Sequence, residues 1–220
     1  MKKIMLCAIV ASAVVVFLSA GCGNSSTGNK NTSQDSVKTS KTIENLEAAV
    51  DGEASAKAKY EAFSAKAKEE GFGEITTLFA ATSKAETIHA DNHMKVLIKM
   101  GQKYEPKISK PVVKSTKENL EAALEGETHE ANVMYPDFIK TADSDNASDA
   151  SKSFSWAMET ETVHQDLYKS ALEALKNNKV KGLPINYLVC PKCGNTYDAA
   201  NVDDICGLCG TEKKKFIKIQ

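Results

Sequence analysis

From Thr42 to about Asn178, apolar residues return with the period of an α-helix, and four long helices account for the pattern. The first spans about Thr42 to Glu70, with Leu46, Ala49, Val50, Glu53, Lys57 and Tyr60 recurring at helical spacing. It stops at Gly71, a residue that takes the left-handed cap conformation without steric cost. The second runs from about Gly73 to Met100 and stops at Gly101. Ser115-Thr116-Lys117-Glu118 has the form of a capping box and opens a third helix that reaches about Ala142. Asn146-Ala147-Ser148-Asp149 offers polar caps to the fourth, which ends near Asn177, ahead of Gly182 and Pro184.

The connections set the topology. Short turns join helices one and two, and three and four, so each pair is an antiparallel hairpin. Between the hairpins lie the 14 residues from Gly101 to Lys114, including Pro106 and Pro111. A helix of this length measures about 42 Å, and the connection can reach roughly 46 Å when extended. It can therefore cross the whole bundle. One long crossover between two hairpins is the arrangement of a ferritin-like four-helix bundle, so the expected fold is all-α, followed by a small metal-binding domain.

A duplication lies over this plan. NLEAAVDGE ends at Glu53 and NLEAALEGE ends at Glu127, 74 residues later. Each copy is followed by Glu-x-x-His, as Glu86 with His89 and as Glu161 with His164. Measured from the two hairpin turns, these residues fall within about one helical turn of a common level. Glu and His three apart share a helix face, so both can point inward. One Glu from each of two helices, with Glu-x-x-His from the other two, is the known ligand pattern of ferritin-like dimetal proteins. The halves differ in one respect. Glu53 to Tyr60 is seven residues but Glu127 to Tyr135 is eight, and one extra residue inside a helix is what a π-bulge absorbs. Pro136, which lacks a backbone donor, favours irregularity there. The longer half also carries Glu130 where the first half has Ala56, giving a fifth carboxylate on one side. Five carboxylates in a core would repel one another unless protonated or metallated. Two divalent ions remove most of that cost, and carboxylate with imidazole suits iron or manganese, with zinc also able to fill the site. His93 is expected at an exposed helix position, with a contact to the ligand residues as the alternative, and His129 is expected to point elsewhere. Tyr60 and Tyr135 either bond to ligand carboxylates or are ordinary core tyrosines.

At the C-terminus, Cys190-Pro191-Lys192-Cys193 and Cys206-Gly207-Leu208-Cys209 are separated by 12 residues. Two such pairs form a strong signal for one tetrahedral metal on four thiolates, either zinc or a single iron. The remaining cysteines belong to the leader. Lys2 and Lys3 precede an apolar run of 15 residues, Ile4 to Leu18, too short to span a bilayer. Leu18-Ser19-Ala20-Gly21-Cys22 then resembles a lipoprotein cleavage site, with Cys22 lipidated, although Ser19 stands where Leu is commoner. An ordinary secretory signal or an uncleaved anchor is the alternative. The expected organisation is a signal over 1–22, a flexible Gly/Asn/Ser/Thr/Lys linker over 23–40, the bundle over 41–182 and the cysteine domain over 185–220. The chain would be extracytoplasmic and touch membrane only through its lipid. With a net charge of -1, no Arg and no basic run beyond Lys213-Lys214-Lys215, nucleic-acid binding lacks electrostatic support.

Together the two sites resemble a rubrerythrin over about residues 40–220. The resemblance rests on Gly52-Glu53, Ala85 to His89, Gly126 to Glu130, Met134 to Pro136, Glu161 to His164 and the knuckle Cys190 to Gly194. It implies a diiron centre on Glu53, Glu86, His89, Glu127, Glu130, Glu161 and His164, with Glu86 and Glu161 bridging. Glu130 and His89 would exchange on one iron with redox state, and a rubredoxin-like iron would sit on Cys190, Cys193, Cys206 and Cys209. It implies a peroxidase that reduces hydrogen peroxide to water with electrons relayed through the thiolate iron, drawn from an unidentified donor. Glu130, Tyr60 and Tyr135 are the candidate catalytic side chains. Gly207 departs from the family pattern, where Pro is expected, and the lipoprotein-like leader is unusual for the family. His164 lies about 20 Å of helix from the end of helix four. The two metal sites are thus expected far apart within one chain, which argues for a homodimer or larger homo-oligomer whose cysteine domains serve partner bundles. The alternative function is an extracytoplasmic iron-binding or ferroxidase protein with a structural zinc ribbon.

Overall fold

The structure, a computed structural model, describes residues 32–220, and side chains from residue 41 onward. The leader and Cys22 lie outside the described residues. Helix α1 spans Thr32–Glu69, α2 Gly73–Lys99, α3 Thr116–His129, α4 Tyr135–Ser144 and α5 Ser148–Lys176. A π-helical turn, Glu130–Met134, joins α3 to α4 without a break, where the eight-residue spacing placed an extra residue. α1 starts ten residues before Thr42, inside the expected linker. The last glycine of that stretch is Gly28, and nothing after it interrupts a helix.

Helix ends follow local chemistry. Gly71 and Gly101 adopt φ of 82° and 81° just past α1 and α2. At α3 the capping box forms, with the Ser115 side chain accepting from the Glu118 amide and the Glu118 carboxylate accepting from the Ser115 amide. The start of α5 differs from expectation. Its N-cap is Ala147, with no side-chain cap, because Asn146 is used instead in a left-handed conformation (φ 55°) that turns the chain. Thr42 donates to Asp145 at 2.6 Å, tying this turn to α1.

The crossover runs along α1, as its length allowed. Tyr104 and the Lys107 amide both donate to Asp51 at 2.7 Å, the Ser109 amide donates to Ser55, and the Thr116 amide donates to Glu70. Two apolar layers fill the bundle. Leu46, Val50, Leu97, Tyr135 and Phe154 build one, while Tyr60, Phe63, Phe79, Leu120 and Tyr168 build the other. Along the chain the buried ligand residues Glu53, Glu86, His89, Glu127, Glu161 and His164 fall in sequence between these layers, so the metal-ligand level is a polar slab with hydrocarbon on both sides.

The chain then turns back. After α5 it passes through residues 177–186 into a three-stranded antiparallel sheet of β1 (Tyr187–Val189), β2 (Thr196–Asp198) and β3 (Ile217–Ile219), ordered β2-β1-β3. Tyr187 and Val189 join the apolar layer around Tyr60 and Phe79, so this small sheet shares the bundle's core.

Candidate metal centres

Six of the seven predicted bundle ligands converge in two overlapping groups. Glu53, Glu86, His89 and Glu161 form one, Glu86, Glu127, Glu161 and His164 the other, each with ligand atoms within 4.8 Å of one another. Glu86 and Glu161 belong to both, the position of a bridging carboxylate. Glu130 belongs to neither. It sits half-buried on the π-helical turn, whose altered pitch sets it off the face that carries Glu127.

The contacts show why this set fits metal. His89 Nδ1 lies 2.9 Å from Glu161 Oε1 and 3.0 Å from Glu86 Oε2, and His164 Nδ1 lies 2.8 Å from Glu161 Oε2. Yet Glu53 Oε2, Glu86 Oε1 and both Glu161 oxygens are buried without a hydrogen bond of acceptable geometry. Buried carboxylate oxygens in that condition cost several kcal/mol, of order 1–3 for each unsatisfied group and more when charged. Lone pairs aimed at shared points rather than at donors are what two cations would satisfy.

Protons stand in for metal where none is bound. Burial raises the Glu53 carboxyl to about 7, against the pull of His89. Burial and the neighbouring Glu86 hold Glu161 well above the usual carboxylate range, and burial with Glu127 does the same for Glu130. For Glu86, burial also raises, but His164 and His89 outweigh it and hold the group low. Burial opposes charge on both imidazoles, yet Glu161 and Glu53 keep His89 protonated and Glu127 and Glu86 keep His164 so. Groups held well above their ordinary range keep their protons at pH 7, Glu53 keeps its proton about half the time, and metal requires all of them bare. Anaerobic ferrous loading at pH 7 should therefore release about two or more protons per chain, and affinity should fall as pH falls. An indicator dye in weak buffer reads this directly; loading without proton release would contradict it.

Each half also carries a tyrosine, and the two are crossed. Tyr60 on α1 donates to Glu127 on α3, and Tyr135 on α4 donates to Glu53 on α1. Both rings are fully buried, which joins the two alternatives left open by sequence: these are core tyrosines that also hold ligand carboxylates. His93 departs from expectation. It is fully buried, with Nε2 3.2 Å from the Tyr135 hydroxyl and Nδ1 2.8 Å from Ser153 Oγ. Burial, then the charge on His89, lowers its pKa to about 3, so the ring is neutral. The signal was present, because Glu86, His89, His93 and Leu97 form one continuous buried stripe. His129 is exposed.

The four cysteines form the third group, with ligand atoms again within 4.8 Å of one another. Cys190 and Cys209 sulfurs lie 3.5 Å apart, as do those of Cys193 and Cys206. Each knuckle closes with a glycine at positive φ, Gly194 at 84° and Gly210 at 71°, whose amides donate to Cys190 and Cys206 carbonyls. Gly207 makes a bond that the expected proline could not. A proline has no N–H, whereas the Gly207 amide donates to the Tyr197 hydroxyl at 3.1 Å. That hydroxyl donates in turn to Cys206 Sγ.

The knuckle rests on the bundle ligands of its own chain. His89 Nε2 is 3.2 Å from the Cys193 carbonyl, and His164 Nε2 is 3.1 Å from Thr196 Oγ1. Asn92 adds a 2.8 Å bond to the Lys192 carbonyl. The expectation of distant sites within one chain is thereby overturned. It counted helix length but not the return: ten residues can reach about 33 Å, more than the helix they retrace. In this arrangement the cysteine domain fixes the outer nitrogen of both imidazoles and leaves both Nδ1 atoms facing the carboxylates.

A carboxylate–histidine dimetal site inside a ferritin-like bundle, capped by a four-thiolate domain, defines a ferritin-like dimetal protein with a rubredoxin-like module. The rubrerythrin family model matches residues 44–172. Rubrerythrin-2 of Clostridium acetobutylicum is 34% identical over 183 residues, which is 82% of this chain and 98% of the relative. Nigerythrin of Nitratidesulfovibrio vulgaris is 35% identical over 80% of this chain and 85% of its own. A solved structure of nigerythrin in a mixed-valence state superposes with a TM-score of 0.73, covering 80% of this chain and 86% of that one. The chain belongs to the rubrerythrin family. Its bundle site is accordingly a diiron centre, and its thiolate site holds one iron.

Proposed function

We propose that this chain reduces hydrogen peroxide to water, with electrons entering through the thiolate iron and passing to the bundle site. The observation that carries the reading is the contact between the Cys193 carbonyl and His89 Nε2, which joins a thiolate ligand to a bundle ligand within one chain. Two irons, each able to change by one electron, supply the electron pair consumed in H2O2 + 2 H+ + 2 e− → 2 H2O. The residues do the rest. Glu53, Glu86, Glu127, Glu161, His89 and His164 hold the pair, and the crossed hydroxyls of Tyr60 and Tyr135 orient Glu127 and Glu53. Glu130, outside both groups but near enough to Glu127 to feel its charge, would be the carboxylate available to replace His89 on a bound metal. The apolar layers on either side exclude bulk water, which strengthens every charge interaction in the slab.

The reading includes a homodimer or larger homo-oligomer, a donor protein not yet identified, and an extracytoplasmic location anchored through lipidated Cys22. The test is Cys193→Ser. Peroxide turnover with an external electron donor should collapse by about a hundredfold or more, the scale of losing an essential catalytic part, while oxidation of ferrous iron by the bundle persists. Turnover at the wild-type rate would sink the relay and leave an iron-binding or ferroxidase protein with a structural ribbon.

A further inference from the structure

Peroxide reduction consumes two protons per turnover, and apolar layers bound the ligand slab above and below. Among the described residues a continuous polar line runs from the surface to that slab. Between α2 and α5 lies a surface cavity of about 240 Å³, lined by Asn92, Lys95, Lys152, Ser153 and Trp156 among others. Ser153 forms its floor and is 5% exposed. From Ser153 Oγ the line runs 2.8 Å to His93 Nδ1, then from His93 Nε2 3.2 Å to the Tyr135 hydroxyl, and from there to Glu53 Oε1.

The hydrogen-bond directions are fixed by counting donors. Tyr135 has one proton and gives it to the Glu53 carboxylate. Toward His93 its oxygen can then only accept, so Nε2 carries the imidazole proton. Nδ1 is left bare and must accept from Ser153. All three bonds point inward, from cavity to carboxylate. We propose that Ser153, His93 and Tyr135 form a proton line that supplies the diiron site from this cavity, an inference that rests on the peroxidase reading.

The transfer balances. A proton from cavity water joins Ser153 Oγ as the Ser153 proton passes to His93 Nδ1. The Nε2 proton passes to Tyr135, and the Tyr135 proton passes to Glu53 Oε1. One proton has moved from solvent to the Glu53 carboxylate, which becomes neutral, while Ser153, His93 and Tyr135 each keep their charge. His93 is left as the opposite tautomer, which a half-turn of the ring restores.

The pseudo-equivalent position in the other half shows what a dead end looks like. Tyr60 donates to Glu127, but its neighbour at the place of His93 is Tyr168, whose hydroxyl bonds, among the described residues, to Thr82. The Thr82 hydroxyl lies against the carbonyls of Leu78 and Phe79, inside the apolar layer. Both tyrosines and Thr82 are fully buried. The line is therefore built on one side of the ligand level and drawn from both halves of the duplication, the side that reads out to the cavity beside the knuckle.

Two variants separate a relay from a merely structural bond. His93→Gln retains a donor toward Tyr135 and an acceptor toward Ser153 but cannot pass a proton in one end and out the other. Ser153→Ala removes the entry, and Ser153→Thr restores the hydroxyl. In the full chain loaded with zinc, exchange of the His93 ring N–H with solvent, read by NMR, should slow at least about tenfold in Ser153→Ala and recover in Ser153→Thr. In the iron-loaded chain, kcat for hydrogen peroxide should fall at least about tenfold in His93→Gln, with a larger solvent deuterium isotope effect and unchanged iron content. Exchange unaffected by Ser153→Ala, or wild-type kcat in His93→Gln, would overturn the line. If the wild-type chain does not reduce peroxide, the functional reading fails by itself, and the exchange measurement still decides whether the line exists.

Discussion

Glu161→Ala should reduce bundle iron from two per chain to about one or less and lower peroxide turnover by more than about a hundredfold, since even residues behind the ligands cost 10–100-fold in metal affinity. Glu161 is shared by both ligand groups and lies within 3 Å of both imidazoles, so its removal takes one ligand from each metal position at once. The stability effects should have opposite signs in the two states. With iron bound, loss of a shared ligand lowers the melting temperature. Without metal, Glu161 is one more buried acid crowded against Glu86, Glu127 and Glu53. Its removal takes away two buried oxygens that lack a hydrogen bond, together with their desolvation, so the metal-free variant should melt above metal-free wild type. Metal analysis and paired melting curves check both arms. A metal-free variant less stable than metal-free wild type would mean that the carboxylate supports the fold by itself.

Gly194→Ala is the second large effect, and it replaces no ligand. A Cβ on residue 194 would lie 2.3 Å from His89 Nε2 and 2.7 Å from its Cδ2. The position also holds φ of 84°, where a non-glycine residue costs about 1–3 kcal/mol. The knuckle and the imidazole cannot both keep their present places. The thiolate site is closed by its own backbone bonds, so its iron spectrum should survive. The join to His89 should not, and a displacement of about 1 Å at such a join can cost of order a hundredfold. Reduction of the thiolate iron should remain normal while its delivery of electrons to the bundle slows by that order. Equal slowing of both would show a general loss of the domain's fold.

Much of this was legible in the sequence, for physical reasons that differ by residue. Glu53, Glu86, His89, Glu127, Glu161 and His164 announced themselves because a buried polar group must be explained and a duplication supplies the same oddity twice. The π-helical turn was legible as a count, seven residues against eight. Glu130 was legible as a carboxylate but not as one standing apart, since its direction depends on the pitch of that turn. His93 was placed outside because a lone histidine on a helix is ordinarily solvated, and the stripe from Glu86 to Leu97 was the better guide. Ala147 caps α5 without a side chain because Asn146 was needed to turn the chain. The docking of the knuckle was not legible at all. Residues 177–186 limit how far the cysteine domain can travel, but its direction is set by the fit of Tyr187 and Val189 to the bundle core and of Cys193 and Thr196 to two imidazoles.

The most direct measurement is a rapid-mixing experiment on the fully reduced, iron-loaded chain given one equivalent of hydrogen peroxide without air, following both iron sites by their absorbance. Fast oxidation of the bundle site should be followed by oxidation of the thiolate iron in a single first-order phase whose rate does not change with protein concentration. A thiolate iron that stays reduced, or one oxidised only in proportion to protein concentration, would contradict an electron path built into the chain.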